Sequence, residues 1–306
     1  GYTMTNKLKA EWLLFTLNPL EAKLLKSEVK KSCSAIDALS IVALPIKLES
    51  YQFVYRISIT AGDNHSKESL MTAIEKASQS LSFDYCYLTS VKPIKLAVFD
   101  MDSTLIPMEV IDELACEAGV NDQVSKITEA AMRGELDFNQ SFEQRLSLLK
   151  GMSEQAVESV KSRLRFNPGV ERFIKYLVEQ GAVVAIASGG FTPFAEALSD
   201  KAPITKVVAN QLEFEQGQLT GVAAKPIVNA DIKAMQLQQW KNELGLKTEE
   251  VMAVGDGAND SLMLSVAGLG VAYKAKPLLR RKADCVIQQG EMDGLVDILK
   301  ALEASC

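Results

Sequence analysis

Histidine is nearly missing from this sequence: its 306 residues include one, His65, in the polar stretch Gly62-Asp63-Asn64-His65-Ser66, which reads as a solvated loop. A Ser-His-Asp or Cys-His arrangement therefore has no base to draw on, and no GxSxG elbow is present either. Cysteine is sparse and unpatterned. Cys33, Cys86, Cys116, Cys285 and Cys306 contain no CxxC spacing, which argues against a zinc cluster or a disulfide framework and fits reduced thiols in the cytoplasm. Positive charge is in deficit, with a net charge of -6, where a nucleic-acid-binding surface is normally basic. No apolar run approaches the roughly 20 residues of a membrane span. No charged-then-apolar leader precedes Met4, and Gly1-Tyr2-Thr3 ahead of it reads as a tag remnant.

What is present describes a soluble acidic enzyme: 47% hydrophobic and 24% charged residues, in a chain long enough for two domains. Residues 4–92 read as one module, in the order strand (12–17), helix (19–33), strand (40–48), strand (52–60), helix (66–81), strand (85–91). That β-α-β-β-α-β order predicts an α+β ferredoxin-like arrangement. Asn18-Pro19 sets a helix start, and Leu20, Leu24, Leu25 and Val29 recur on one face. Modules of this shape often bind amino acids or pair with a copy of themselves, so a homodimer through this module is the expected assembly. It contains no chemical motif.

After the connector Val91-Lys92-Pro93, residues 93–306 alternate strands with helices, which predicts a mainly parallel sheet covered on both faces. Strands are expected at 94–99, 182–187, 206–209, 251–254, 268–272 and 285–287, and a hairpin at 213–222 around Gln216-Gly217. Between the first two strands, about residues 107–168, apolar residues recur at helical spacing with no strand pattern. This is a helical lid, a device that keeps water out of a reaction.

The chemistry collects at strand ends, where parallel sheets keep it. Ile94-Lys95-Leu96-Ala97-Val98-Phe99 runs straight into Asp100-Met101-Asp102. Two carboxylates that close repel unless a cation or a shared proton lies between them. Ala187-Ser188-Gly189-Gly190-Phe191 follows a second apolar strand and suits an anion such as phosphate. Val254-Gly255-Asp256-Gly257-Ala258-Asn259-Asp260 follows a third and adds two carboxylates, an oxygen-only donor set that selects a hard cation such as magnesium. Lys233 can place a fixed positive charge on a phosphoryl group; Lys225, ahead of Pro226, is the competing candidate.

Asp100-Met101-Asp102-Ser103-Thr104, Ser188-Gly189-Gly190-Phe191, Lys233 and Gly255-Asp256-Gly257-Ala258-Asn259-Asp260, in that order, resemble the four motifs of the haloacid dehalogenase superfamily of phosphohydrolases. Within the lid, Glu109 to Leu114, Ala131 to Phe138 and Arg145 to Lys150 resemble the cap of the phosphoserine phosphatases; the likeness covers about residues 94 to 290. The first ninety residues resemble, more loosely, the small amino-acid-binding (ACT-like) domains that some of these enzymes carry.

The resemblance implies a Rossmannoid α/β core with a helical cap and hydrolysis of O-phospho-L-serine to L-serine and inorganic phosphate, the last step of serine biosynthesis, in the cytoplasm. It makes Asp100 the nucleophile, forming an aspartyl-phosphate, and Asp102 the acid and base. It implies magnesium bound by Asp100, Asp256 and the carbonyl of Asp102, with Asp260 in support. Ser188, Gly189 and Lys233 would hold the phosphoryl oxygens, and Thr104 the nucleophile's loop. Glu109 would meet the substrate ammonium and Arg145 its carboxylate, with Asn259 in contact and Met132 and Phe138 as an apolar wall. Two other readings fit the same residues: a phosphotransferase passing the phosphoryl group to another alcohol such as homoserine, and an amino-acid-sensing regulatory protein.

Overall fold

The computed structural model describes residues 7–34, 36–62 and 66–305; the single histidine, His65, lies outside them. The first part folds in the expected order, β1 (Leu8–Thr16), α1 (Ala22–Ser32), β2 (Ile36–Ala43), β3 (Phe53–Ala61), α2 (Lys67–Leu81) and β4 (Asp84–Tyr87). Ser66 caps α2, its Oγ accepting the Ser69 N–H at 3.2 Å. β2 ends at Ala43, not Leu48: Pro45 has no N–H to give a sheet, so the apolar Ile46 and Leu48 lie beyond the strand. The four strands pair antiparallel in the order β2-β3-β1-β4.

Next come β5 (Leu96–Phe99), the cap helices α3 (Val110–Ala118), α4 (Asn121–Met132), α5 (Phe138–Ser147) and α6 (Glu154–Ser162), then α7 (Val170–Glu179), β6 (Val183–Phe191), α8 (Thr192–Ser199) and β7 (Lys206–Asn210). The expected hairpin is β8 (Phe214–Glu215) and β9 (Gln218–Leu219), with Gln216 and Gly217 both at positive φ. The chain closes with α9 (Ala230–Glu243), β10 (Val251–Gly255), α10 (Ser261–Val266), β11 (Leu269–Tyr273), α11 (Pro277–Lys282), β12 (Cys285–Ile287) and α12 (Gly294–Ala304). β12, β11, β10, β5, β6 and β7 are neighbours in that order and run parallel. β5 thus lies between β10 and β6, which brings the carboxyl ends of all three together.

The two halves are not separate bodies. β4 pairs antiparallel with β12, Cys86 opposite Cys285 and Tyr85 opposite Val286, so one ten-stranded sheet runs from β2 to β7. Strand alternation makes both cores continuous across that seam: Leu13 and Phe15 share one with Ala97 and Phe99, while Trp12 and Leu14 share the other with Leu96 and Val98. Two buried carboxylates lock the seam. Asp297 of α12 accepts the N–H groups of Glu49, Ser50 and Tyr51 at 2.8 to 2.9 Å. Asp84 of β4 accepts those of Gln288, Gln289 and Gly290, each at 2.8 Å, and the Tyr51 hydroxyl at 2.6 Å. No helix among the described residues is long and apolar enough to cross a membrane.

Candidate active site

At the end of β5 the Asp100 N–H still bonds the Val254 carbonyl of β10 at 2.9 Å, so the first carboxylate leaves the sheet from a fixed backbone. Its Oδ1 accepts the Met101 N–H at 2.7 Å. Lys233, in the first turn of α9, reaches over with its Nζ 3.3 Å from Asp100 Oδ1 and 2.9 Å from Asp260 Oδ1. Its side chain is wholly buried. Burial alone would strip its proton, but Asp100 and Asp260 hold its pKa above the ordinary lysine value. Of the two lysines only Lys233 lies beside Asp100: Lys225 is exposed and pairs with Glu143 of the cap at 2.7 Å.

Asp260 is the hub behind the carboxylates. Its Oδ2 accepts the Asp256 and Gly257 N–H groups at 3.0 and 3.2 Å, fixing the loop that carries Asp256. Gly255 is required for this, since a Cβ there would lie 2.4 Å from the Asp260 carboxyl carbon. The residues from Ala258 form a 3-10 turn before α10 starts at Ser261, later than the sequence suggested, and Asn259 occupies its middle beside Gly257. Thr104, expected to brace the nucleophile's own loop, donates its N–H to the Met101 carbonyl at 3.2 Å and its hydroxyl to Asp256 Oδ1 at 2.9 Å. Asn167 Nδ2 in turn holds the Thr104 carbonyl at 2.8 Å.

Oxygens of Asp100, Asp256 and Asp260 all come within 4.8 Å of one another. Lys233 neutralises one of the three. Burial and the neighbouring Asp260 push the Asp256 carboxyl up to about 7, and burial with Asp260 raises Asp100 well above the carboxylate range. Buried carboxyls forced towards protonation, with oxygen donors only, fit a hard divalent cation. Asp260, expected in support, sits inside the cluster, while the Asp102 side chain is outside it.

Asp102 points elsewhere. Its Oδ2 takes the Val110 N–H at 3.4 Å, and Oδ1 is buried without a partner. Burial, reinforced by Glu109, raises its pKa well above the usual value. The Ser188 to Gly190 stretch lies beside it, within β6 itself: the strand continues four residues past its expected end. Pairing with β7 slips between Ala187 and Phe191, a bulge that turns Ser188 and Gly189 out of the regular pleat. Ser188 Oγ accepts the Gly190 N–H at 2.8 Å, and Asn210 Nδ2 holds the Gly189 carbonyl at 3.0 Å. A Cβ on Gly190 would crowd the Met101 side chain at 2.9 Å and Asp102 Oδ2 at 3.2 Å.

The cap supplies the rest. Glu109 accepts the Ser103 hydroxyl at 2.8 Å, with Ser103 at φ 58; burial raises the Glu109 pKa. Arg145 on α5 donates Nε to the Ser141 carbonyl at 3.3 Å; burial lowers its pKa, while Asp112, Glu109 and Asp102 oppose that. The Phe138 ring lies against Gly189, its Cζ 3.0 Å from where a Cβ would stand. Met132 does not share that wall: at the last position of α4 it is 69% exposed. Asn229 caps α9, accepting the Ile232 N–H, and bonds Asn139 of the cap, so the lysine helix and the lid are joined. Ser103, Asn167, Asn210 and Asn229 were not foreseen as site residues. A polar residue beside each strand end or cap hinge was the available signal.

The family model described as haloacid dehalogenase-like hydrolase matches residues 94–268. A phosphoserine phosphatase of Archaeoglobus fulgidus is 44% identical over 214 residues, 70% of this chain, which spans 62% of that protein's length. One of Idiomarina loihiensis is 46% identical over 210 residues, covering 69% of this chain and 94% of its own. Among solved structures, a probable phosphoserine phosphatase from Vibrio cholerae, in unliganded form, superposes with a TM-score of 0.70 at 31% identity and covers 96% of this chain and 88% of that one. That likeness extends across both halves of the sheet.

Proposed function

Because this chain belongs to the haloacid dehalogenase-like hydrolases, we propose that the site beneath its cap hydrolyses O-phospho-L-serine to L-serine and inorganic phosphate. The observation that carries the reading is the division of labour between two aspartates two residues apart. Asp100 lies 3.3 Å from a buried lysine, while Asp102 keeps a buried oxygen free and a raised pKa. An Asp100 oxygen attacks phosphorus as the bond from phosphorus to the serine oxygen breaks, and Asp102 gives its proton to that oxygen. Water then attacks the aspartyl-phosphate and surrenders a proton to Asp102, which restores both carboxyls. Lys233, the Ser188 hydroxyl and the Gly189 N–H take up charge on the transferring oxygens. A magnesium ion held by Asp100, Asp256 and the Asp102 carbonyl, with Asp260 behind, would offset the repulsion between carboxylate and phosphate.

The cap gives the amino-acid end. Glu109 suits an ammonium and Arg145 a carboxylate, with Phe138, Asn259 and, on closure, Met132 around them. We assign residues 4–92 to an ACT-like domain and 93–306 to the phosphatase core with its cap at about 107–168, acting in the cytoplasm. The long exposed edge of β2 is where a second copy would pair.

Phosphate release from O-phosphoserine tests the reading. Turnover is expected to stop under excess chelator and to return with magnesium; activity that persists under chelation removes the cation. Glu109→Gln and Arg145→Ala are each expected to cut kcat/KM for O-phosphoserine by roughly a hundredfold, and that for an aryl phosphate by less than about tenfold. Equal losses on both substrates would make the two residues structural. Appearance of a phosphorylated alcohol in place of free phosphate, with homoserine added, would favour a transferase.

A further inference from the structure

Behind the Asp256 loop is a set of contacts that the reaction does not use. The Lys276 N–H donates to the Asp256 carbonyl at 3.1 Å. The carbonyl of the preceding residue, the buried Ala275, accepts from two side chains, Arg280 Nη1 at 2.7 Å and Gln288 Nε2 at 3.2 Å. Both donors are held from the other half of the sheet. Arg280 Nε donates to Glu75 Oε1 of α2 at 2.9 Å, an ion pair whose side chains are 12% and 5% exposed. The Gln288 N–H donates to Asp84 Oδ1 of β4 at 2.8 Å. Lys274 completes the segment with φ 45, a backbone region that a residue with a Cβ keeps only when its surroundings impose it. Its N–H bonds the Ile287 carbonyl at 2.8 Å and its Nζ the Gln288 carbonyl at 3.2 Å.

Residues 274–276 are therefore a constrained strap, tied to Asp256 on one side and to Arg280 and Gln288 on the other. We propose that Arg280, backed by Glu75, is a positioning residue for the cation ligand Asp256, so that α2 helps set the affinity of a metal site none of its side chains touches. The planar guanidinium suits this because it uses one nitrogen on the carboxylate and another on the carbonyl. A lysine ammonium is a point charge on a flexible stem; it satisfies Glu75 without fixing the strap. Partners outside the ligand shell act through ligand placement, and their loss commonly weakens binding by about tenfold or more.

The inference rests on assigning a divalent cation to the aspartate cluster, and calorimetric titration of magnesium into the chelator-stripped full chain separates the two. A wild-type chain that binds no magnesium overturns that assignment. Given wild-type binding, Arg280→Lys is expected to weaken magnesium affinity by about tenfold, with KM for O-phosphoserine unchanged at saturating metal. Gln288→Ala, which leaves the ion pair intact, is expected to weaken it by a smaller factor and decides the matter if Arg280→Lys folds poorly. Arg172→Ala is the control, since Arg172 pairs with Glu49 and Asp293 elsewhere on the same seam. Affinities of Arg280→Lys and Gln288→Ala within about twofold of wild type overturn the proposal, as does an equal loss in Arg172→Ala.

Discussion

Asp100→Asn is expected to lose turnover of O-phosphoserine by on the order of 10⁴-fold or more while the chain folds as before. The amide keeps an oxygen for the Met101 N–H, now bonded at 2.7 Å, and has nearly the volume of the carboxyl, so the end of β5 has no reason to move. What disappears is the nucleophile: an amide oxygen does not form the acyl phosphate on which the second half of the reaction depends. Stability should not fall with activity. Asp100 is buried with its pKa raised by burial and by Asp260, which marks it as a strained charge in the metal-free protein, partly offset by Lys233. Removing that charge leaves Lys233 its 2.9 Å contact with Asp260. The metal-free variant should therefore melt at or above the wild-type temperature, by scanning calorimetry. Activity within about tenfold of wild type would take the nucleophile's role from Asp100, and a collapsed melting transition would make the residue structural.

The second large effect is on folding. Asp84→Ala is expected to destabilise the chain by about 3 to 5 kcal/mol, enough to lower the melting temperature by roughly 10 °C. Asp84 is fully buried and accepts three backbone N–H groups and a phenol, all from beyond its own strand. Truncation leaves four donors without the carboxylate that satisfies them. Asp84→Asn keeps one accepting oxygen and should fall between. Chemical or thermal unfolding that places Asp84→Ala within about 1 kcal/mol of wild type would show that water replaces the carboxylate at little cost. Asp297→Ala should be of similar size, but the two losses will not add, because Tyr51 bonds to both carboxylates.

These two aspartates differ in how far the sequence betrays them. Asp100 stands at the end of a short apolar run and is followed two residues later by a second carboxylate, a pattern with few structural explanations. The same logic singled out Asp256, just past the end of β10, and Lys233, in the first turn of α9, whereas Ser188 lies inside β6 and was singled out by the glycines that follow it. Asp84 opens a strand and Asp297 lies within the C-terminal helix; neither has a local pattern, because their backbone partners are 204 to 206 and 246 to 248 residues away. The join of β4 to β12 was hidden for the same reason: pairing over such a separation imposes no periodicity on either strand. The bulge in β6 was hidden differently. The glycines there put the expected end of the strand at Ala187, whereas two extra residues can be absorbed without ending the strand. The apolar character of Met132 says nothing about which way the end of α4 faces, and its side chain is 69% exposed.

The β4–β12 join bears on how the role of the first ninety residues can be studied. A chain started near Lys92 would leave the outer edge of β12 with unbonded amides and carbonyls, next to apolar faces stripped of Leu13, Phe15, Trp12 and Leu14. Such a fragment is primed to stick to copies of itself, so its behaviour in an assay would report solubility before it reported feedback by an amino acid.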